Sequence, residues 1–151
     1  MRGRLQLGVS ALLRLPRLPL AAKLMADGRT YAAKKEFHVT LLDGKTTATI
    51  GASRIAAATY GRVVFEVDLL DELWMVERGR GATIIRMCNV AGGAELFRDL
   101  ALPMPPLHVT LYTSGVARGI GLPSFDALRS LGTALPAEVC RALLSEMRES
   151  P

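Results

Sequence analysis

The two histidines of the chain lie in nearly identical surroundings. Residues 37–42 read FHVTLL and residues 107–112 read LHVTLY, so His38 and His108 each precede a valine and a threonine. In a β-strand a histidine and the threonine two residues later point to the same face. Imidazole exchanges protons near neutral pH, and a hydroxyl donates hydrogen bonds to oxygen. The spacing within each tripeptide therefore lets an imidazole and a hydroxyl lean onto one small anion.

The same alternation predicts which side chains are buried. The apolar residues of the two segments are expected in the core: Phe37, Val39, Leu41, Leu107, Val109 and Leu111. The opposite face carries His38 with Thr40 and His108 with Thr110, each pair rooted about 6.6 Å apart along its strand. Tyr112 falls on this face too, where it either stacks on a base in a cleft or has a packing role.

Paired His-x-Thr motifs about seventy residues apart resemble those of the two-histidine (2H) phosphoesterase superfamily, which includes RNA 2′,3′-cyclic phosphodiesterases and RNA-ligase-like proteins. The resemblance covers residues 34–121 in motif order and spacing, with the segments HVTLYT and GIGLP. It implies a bilobal α+β fold, in which two antiparallel β-sheets with pseudo-two-fold symmetry are flanked by helices. One His-x-Thr strand from each lobe would face a central cleft.

The resemblance also implies a mechanism. His38 and His108 would be the catalytic residues, one deprotonating water and the other protonating the departing ribose oxygen, in an order that the sequence leaves open. Thr40 and Thr110 would bind the phosphate oxygens. The expected activity is metal-independent hydrolysis, without a cofactor, of a cyclic phosphate or 2′–5′ linkage in a small RNA end or nucleotide. The alternative is a non-catalytic module that binds such a ligand in the same cleft.

Other kinds of site have weaker support. Catalytic zinc usually takes three protein ligands; Asp43 or Glu36 would have to join the histidines, neither of which belongs to an HExxH motif, so no metal is expected. The segment SGVARGIG lacks the P-loop pattern GxxxxGK[ST]. Ser114 and Ser124 have no partners for a hydrolase triad. Arg118, in the same loop, either contacts a substrate phosphate or is solvated.

The elements that must position these motifs mix strand and helix patterns without a regular βαβ order, which indicates an α+β fold. Strands are predicted over Ala33–Leu42, Arg62–Asp68, Glu72–Glu77, Ala82–Val90 and Leu107–Thr113, with a tight hairpin between the third and the fourth. Helices are predicted from Thr46 or Thr47 towards Tyr60 and over Ala94–Leu100, Phe125–Leu131 and Pro136–Met147.

The basic charge is confined to the N-terminal segment. Residues 1–35 carry eight Lys or Arg and one acid, a net +7, whereas the rest carry eleven basic and thirteen acidic residues, a net −2. The near-neutral body argues against a double-stranded DNA-binding protein. We divide the chain into a basic segment, 1–30, and one domain, 31–151. In the segment, Leu5, Leu7 and Val9 predict a first strand and Leu20–Asp27 a short helix.

The sequence also bears on compartment and partners. Residues 1–25 alternatively form a mitochondrial transit segment, since they are rich in arginine and lack acidic residues. Cys88 and Cys140 form no CxxC motif and are expected as free thiols in a reducing compartment. No apolar run approaches the ~18 residues of a membrane span. We expect a cytoplasmic monomer, or a mitochondrial one, whose partner is a nucleotide or RNA end.

Overall fold

The computed structural model describes the backbone of residues 1–149 and the side chains of residues 1–146. This part of the chain forms an antiparallel sheet and five helices, which confirms the α+β class. The strands are β1 Arg2–Leu7, β2 Ala11–Arg14, β3 Lys23–Ala26, β4 Arg29–Ala33, β5 His38–Leu42, β6 Val64–Arg78, β7 Gly81–Val90, β8 His108–Ser114 and β9 Gly132–Ala134. The helices are α1 Gly44–Ile50, α2 Ala52–Ala58, α3 Gly93–Asp99, α4 Phe125–Leu131 and α5 Ala137–Glu149.

The strands are joined into one sheet instead of the two that the resemblance implied. Their order is β3-β4-β8-β5-β2-β1-β6-β7, and β9 pairs with β6. Strand β7 also pairs with β8, so β8, β5, β2, β1, β6 and β7 form a closed circuit of hydrogen-bonded neighbours. Both histidine strands, β5 and β8, are adjacent members of that circuit.

The two faces of the sheet carry separate apolar clusters. The larger cluster includes all six apolar residues that the alternation assigned to the core, each at most 5% exposed. A smaller cluster is formed by Val76, Ile85, Met87, Ile120, Leu122 and Leu128. Because neighbouring residues such as Ile84 and Ile85 belong to different clusters, the smaller one lies on the opposite face of the sheet. That face also carries the motif histidines and threonines.

The helix predicted at Leu20–Asp27 is wrong, and the segment forms a β-hairpin of β3 and β4. The turn residues Asp27 and Gly28 have φ values of 50° and 72°. Positive φ at both positions is the requirement of a type I′ turn, for which Asp-Gly is a preferred pair. Tyr31 on β4 is fully buried and fixes the hairpin to the main core. The glycine therefore marks a hairpin turn instead of the end of a helix.

Other boundaries also differ from the prediction. The strand predicted over Ala33–Leu42 begins only at His38, because β4 ends at Ala33. The strands predicted at Arg62–Asp68 and Glu72–Glu77 form the single strand β6, which pairs with β7 through an irregularity between Leu69 and Leu73. The helix predicted towards Tyr60 is divided at Gly51 into α1 and α2, and Asp43 instead of a threonine caps α1. The hairpin between β6 and β7 and the helices near residues 94, 125 and 136 are confirmed.

Two further findings concern the cysteines and the membrane. Cys88 and Cys140 are free, and burial raises the pKa of the Cys88 thiol to about 12. Cys88 is therefore protonated and unreactive at neutral pH. None of the helices within the described residues combines the length and apolar character that crossing a membrane would require.

The structure predicts that the N-terminal segment is needed for stability, because β1 and β2 are paired on both sides. Leu13 on β2 is fully buried, whereas Leu7 on β1 is 41% exposed. Leu13→Ala should lower the free energy of unfolding by about 2–5 kcal/mol, since it leaves a cavity in the main core. Leu7→Ala, the matched control, should cost about 0.5 kcal/mol or less. Equal costs in urea unfolding would contradict this placement.

Candidate functional site

The two histidine motifs meet through the pairing of their central valines. In the antiparallel pair of β5 and β8, Val39 lies opposite Val109. One residue further in each direction, this register places His38 opposite Thr110 and Thr40 opposite His108. Directly opposite residues of antiparallel strands have Cβ atoms about 4.5–5.5 Å apart. The four polar side chains therefore form a compact group on one face of the sheet, with a local two-fold relation between its halves.

This group lines one cleft. The cleft has a volume of about 730 Å³, in the size range of small-molecule sites. His38, Thr40, His108 and Thr110 all contribute to its wall. His38 and Thr40 are exposed at the rim, whereas His108 and Thr110 are half-buried. Both motifs are thus accessible from one solvent-connected space.

The His108 ring has a defined hydrogen-bonded state. Its Nδ1 lies 2.7 Å from the backbone carbonyl oxygen of Pro106. A carbonyl only accepts hydrogen bonds, so Nδ1 carries a proton and donates it. In the neutral ring the lone pair is then on Nε2, which accepts a proton, and in the charged ring Nε2 donates one. The segment Pro103–Leu107 before β8 therefore selects the tautomer of His108.

The pKa values of both histidines are lowered, for different reasons. For His38 the main cause is loss of hydration within the cleft walls, and the positive charges of Lys34 and Arg14 add to it while Glu36 opposes it. For His108 burial lowers the pKa most, the Pro106 carbonyl raises it, and the charge of His38 lowers it. The last effect means that the two rings are close enough to influence each other. Both shifts favour the neutral form of the rings in the ligand-free protein.

The loop after β8 approaches one threonine closely. A β-carbon at Gly119 would lie 2.9 Å from the Thr110 Oγ1, which is shorter than normal contacts. Only glycine lets the backbone lie against that hydroxyl without moving it. The next loop residues are fixed in the smaller apolar cluster through Ile120 and Leu122. The loop therefore forms a wall of the cleft beside Thr110.

Tyr112 does not line the cleft, which corrects the alternation-based assignment to the face of His108 and Thr110. Between β7 and β8 the register shifts: Ile84 pairs with Tyr112 but Ile85 pairs with Thr110, so Leu111 is an extra residue. Such a bulge changes the alternation of side chains along the strand. Tyr112 is fully buried in the main core, and its hydroxyl donates to the Ala21 carbonyl oxygen at 2.9 Å. It has the packing role.

Arg118 lies in the cleft wall and is exposed, so both of its sequence alternatives stay open. The structure also brings in residues that sequence reasoning did not connect with the motifs, namely Lys34 and Arg78. Lys34 lies four residues before His38, and this proximity in sequence could have identified it as a candidate site residue. No sequence signal links Arg78 to the histidines. Among the described residues, no group of three or more His, Cys, Asp or Glu side chains is arranged to hold a metal ion.

Comparison with known proteins gives no match to a family model, to a curated protein or to a solved structure.

The lowered pKa values predict how stability depends on pH. Below the unfolded-state pKa of about 6.5 the unfolded chain binds more protons than the folded one. The free energy of unfolding should therefore be highest above pH 6.5 and fall as pH decreases through the folded-state values. Urea unfolding at pH 7.5, 6.5 and 5.5 measures this. In His38→Gln and His108→Gln the decrease should be smaller than in the wild type, and an equal decrease in all three proteins would contradict the assignment.

Proposed function

We propose that this protein is a metal-independent phosphodiesterase that hydrolyses a cyclic phosphate or a 2′–5′ linkage in a small RNA end or nucleotide. The observation that carries the proposal is the Val39–Val109 pairing, which brings two His-Thr pairs to one cleft. Two imidazoles and two hydroxyls around one small space supply an acid, a base and two hydrogen-bond donors. These are the groups that hydrolysis of a phosphodiester needs when no metal ion polarises the phosphate.

In this proposal the four residues have complementary roles. His38 and His108 flank the phosphate; one removes a proton from the attacking water and the other donates a proton to the departing ribose oxygen. Thr40 and Thr110 donate hydrogen bonds to the non-bridging oxygens, where negative charge increases in the transition state. The water oxygen forms the new P–O bond as the P–O bond to the ribose breaks. The proton count balances, because one imidazole gains the proton that the other loses.

The substrate itself would adjust the protonation states. Catalysis needs one neutral and one protonated ring, whereas the lowered pKa of each histidine favours the neutral form in the ligand-free protein. A bound phosphate is negatively charged and favours protonation of the ring beside it. His108 is compatible with either role, since its Nε2 accepts or donates while Nδ1 stays bound to Pro106.

The finer description of the fold belongs to the same proposal. We propose that the chain has two lobes related by a pseudo-two-fold axis that passes between Val39 and Val109. The opposite placement of His38 with Thr110 and of Thr40 with His108 supports such an axis locally. The shared cleft would then lie between the lobes, with one motif strand from each.

The direct test is hydrolysis of nucleoside 2′,3′-cyclic phosphates in the presence of EDTA. His38→Ala and His108→Ala should each lower kcat by about 10²–10⁴, since each removes one proton-transfer group. Thr40→Val and Thr110→Val should each lower kcat roughly tenfold or more, because each removes a hydrogen bond to a charged group. Product analysis by chromatography and circular dichroism of each variant complete the measurement.

The matched control is Thr113→Val, on the same strand as Thr110 but outside the cleft wall. It should retain wild-type kcat. Full activity of either histidine variant would refute the acid–base mechanism. Tight nucleotide binding without product formation by the wild type would instead support the non-catalytic binding module. Activity that EDTA abolishes would refute the metal-independent reaction.

A second prediction concerns the position of the Thr110 hydroxyl. Gly119→Ala would place a β-carbon 2.9 Å from Oγ1, so the hydroxyl must move. The variant should lose activity to a similar degree as Thr110→Val, with little change in the free energy of unfolding. Gly121→Ala is the control, since a β-carbon there meets no atom within 4 Å. Equal activity of the two alanine variants would show that the approach of the loop to Thr110 has no catalytic role.

A further inference from the structure

The cleft contains a group of positive charges that the proposed chemistry does not use. Lys34, Arg78 and Arg118, which we call the cationic corner, all line the cleft that holds the motifs. Lys34 is linked to the loop of Arg118, because its Nζ donates to the Ala117 carbonyl oxygen at 3.3 Å. This contact holds the ammonium group beside the residue that precedes Arg118.

Arg78 approaches the same loop from the hairpin of β6 and β7. It is paired with Gly81 at the hairpin end. A β-carbon at Gly81 would lie 2.0 Å from Val116 Cγ1, so the hairpin backbone packs directly against the loop two residues before Arg118. Three segments that are distant in sequence thus bring their cations to the wall of one cleft.

The acidic residues of the cleft do not neutralise these cations. Glu36 forms an ion pair with Arg14 at 2.8 Å, and Asp43 accepts the backbone N–H that caps α1 at 2.7 Å. Arg78 and Arg118 have no hydrogen-bond or ion-pair partner within the described part of the chain. Their guanidinium groups are therefore available to an anionic ligand, which arginine binds through two parallel hydrogen bonds.

The backbone of Arg78 lies well away from the level of the motif residues along the sheet. Across the sheet, Trp74, Ile85 and Thr110 are on one level, since each pairs with the next. Arg78 lies four residues beyond Trp74, which is about 13 Å along the strand. Its charge therefore acts at a second position in the cleft, whose wall also includes Arg118.

We propose that the cationic corner binds a second phosphate of the substrate, one nucleoside away from the phosphate that the histidines flank. This inference rests on the proposed function, and it specifies the substrate class. The substrate would be either a nucleotide that carries a 5′-phosphate besides its cyclic phosphate, or an RNA end of two or more nucleotides. The cleft volume of about 730 Å³ gives room for a ligand larger than a nucleoside cyclic phosphate.

The kinetic experiment compares three substrates: adenosine 2′,3′-cyclic phosphate, the same compound with a 5′-phosphate, and a diadenylate ending in the cyclic phosphate. For the wild type the second phosphate should raise kcat/KM roughly tenfold, through KM, in at least one of the two longer substrates. A higher kcat/KM with the 5′-phosphorylated compound identifies the substrate as a mononucleotide. A higher kcat/KM with the diadenylate alone identifies it as an RNA end. Equal kcat/KM for all three substrates would overturn the inference.

The variants separate a specific subsite from general attraction. Arg78→Gln should abolish the gain from the second phosphate, so that kcat/KM becomes equal for the three substrates. Arg80→Gln is the matched control, because it removes the same charge from the same hairpin but from a side chain outside the cleft wall. It should keep the gain. Equal losses in the two variants would overturn the subsite and indicate only an effect of net charge.

A binding measurement keeps this inference separate from the proposed function. Calorimetry with adenosine 3′,5′-bisphosphate and adenosine 3′-monophosphate requires no turnover. The bisphosphate should bind the wild type roughly tenfold more tightly, and Arg78→Gln should bind both ligands equally. Preference for the bisphosphate without hydrolysis of any substrate would support the subsite and refute the enzyme. Hydrolysis without this preference would support the enzyme and refute the subsite.

Discussion

The pairing of Val39 with Val109 is the contact on which the candidate site depends. Both valines are fully buried, so the register between β5 and β8 is set by the core beneath them. A shift of one residue in either strand would turn its histidine and threonine into the core and expose the valine. The free-energy cost of exposing the valine therefore fixes the positions of the histidine and threonine side chains on the other face of the sheet. Burial on one face of the sheet therefore determines geometry on the other.

Closure of the sheet explains how this register is maintained. Strand β8 pairs with β7 along one edge and with both β4 and β5 along the other. Both edges of β8 are therefore hydrogen-bonded to neighbouring strands. Strand β5 is held in turn by β2, whose Leu13 lies opposite Val39. The basic N-terminal segment thus contributes to the site through the sheet, although none of its arginines lines the cleft.

The sequence predicted the parts of this structure that depend on local patterns. Alternation identified the buried flanks of both motifs, and it failed at Tyr112 because a bulge depends on the partner strand, which a single strand does not reveal. The Asp27–Gly28 turn was open to two interpretations, since a glycine both ends helices and forms hairpin turns. Arg78 was beyond prediction, because only the long β6–β7 hairpin brings it to the cleft. The pairing of the motif strands was likewise not visible in either motif.

The local symmetry of the motifs also limits what can distinguish the two histidines. If the strands place both rings equivalently, the residues around each ring must determine which histidine is the acid and which is the base. These surrounding residues differ. His108 has a carbonyl that fixes its tautomer and supports its charged form, whereas His38 has nearby cations that oppose its charged form. The negative charge of a bound phosphate would offset the effect of Lys34 and Arg14 on the pKa of His38. The charge of the ligand would therefore be part of what makes the two equivalent positions chemically different.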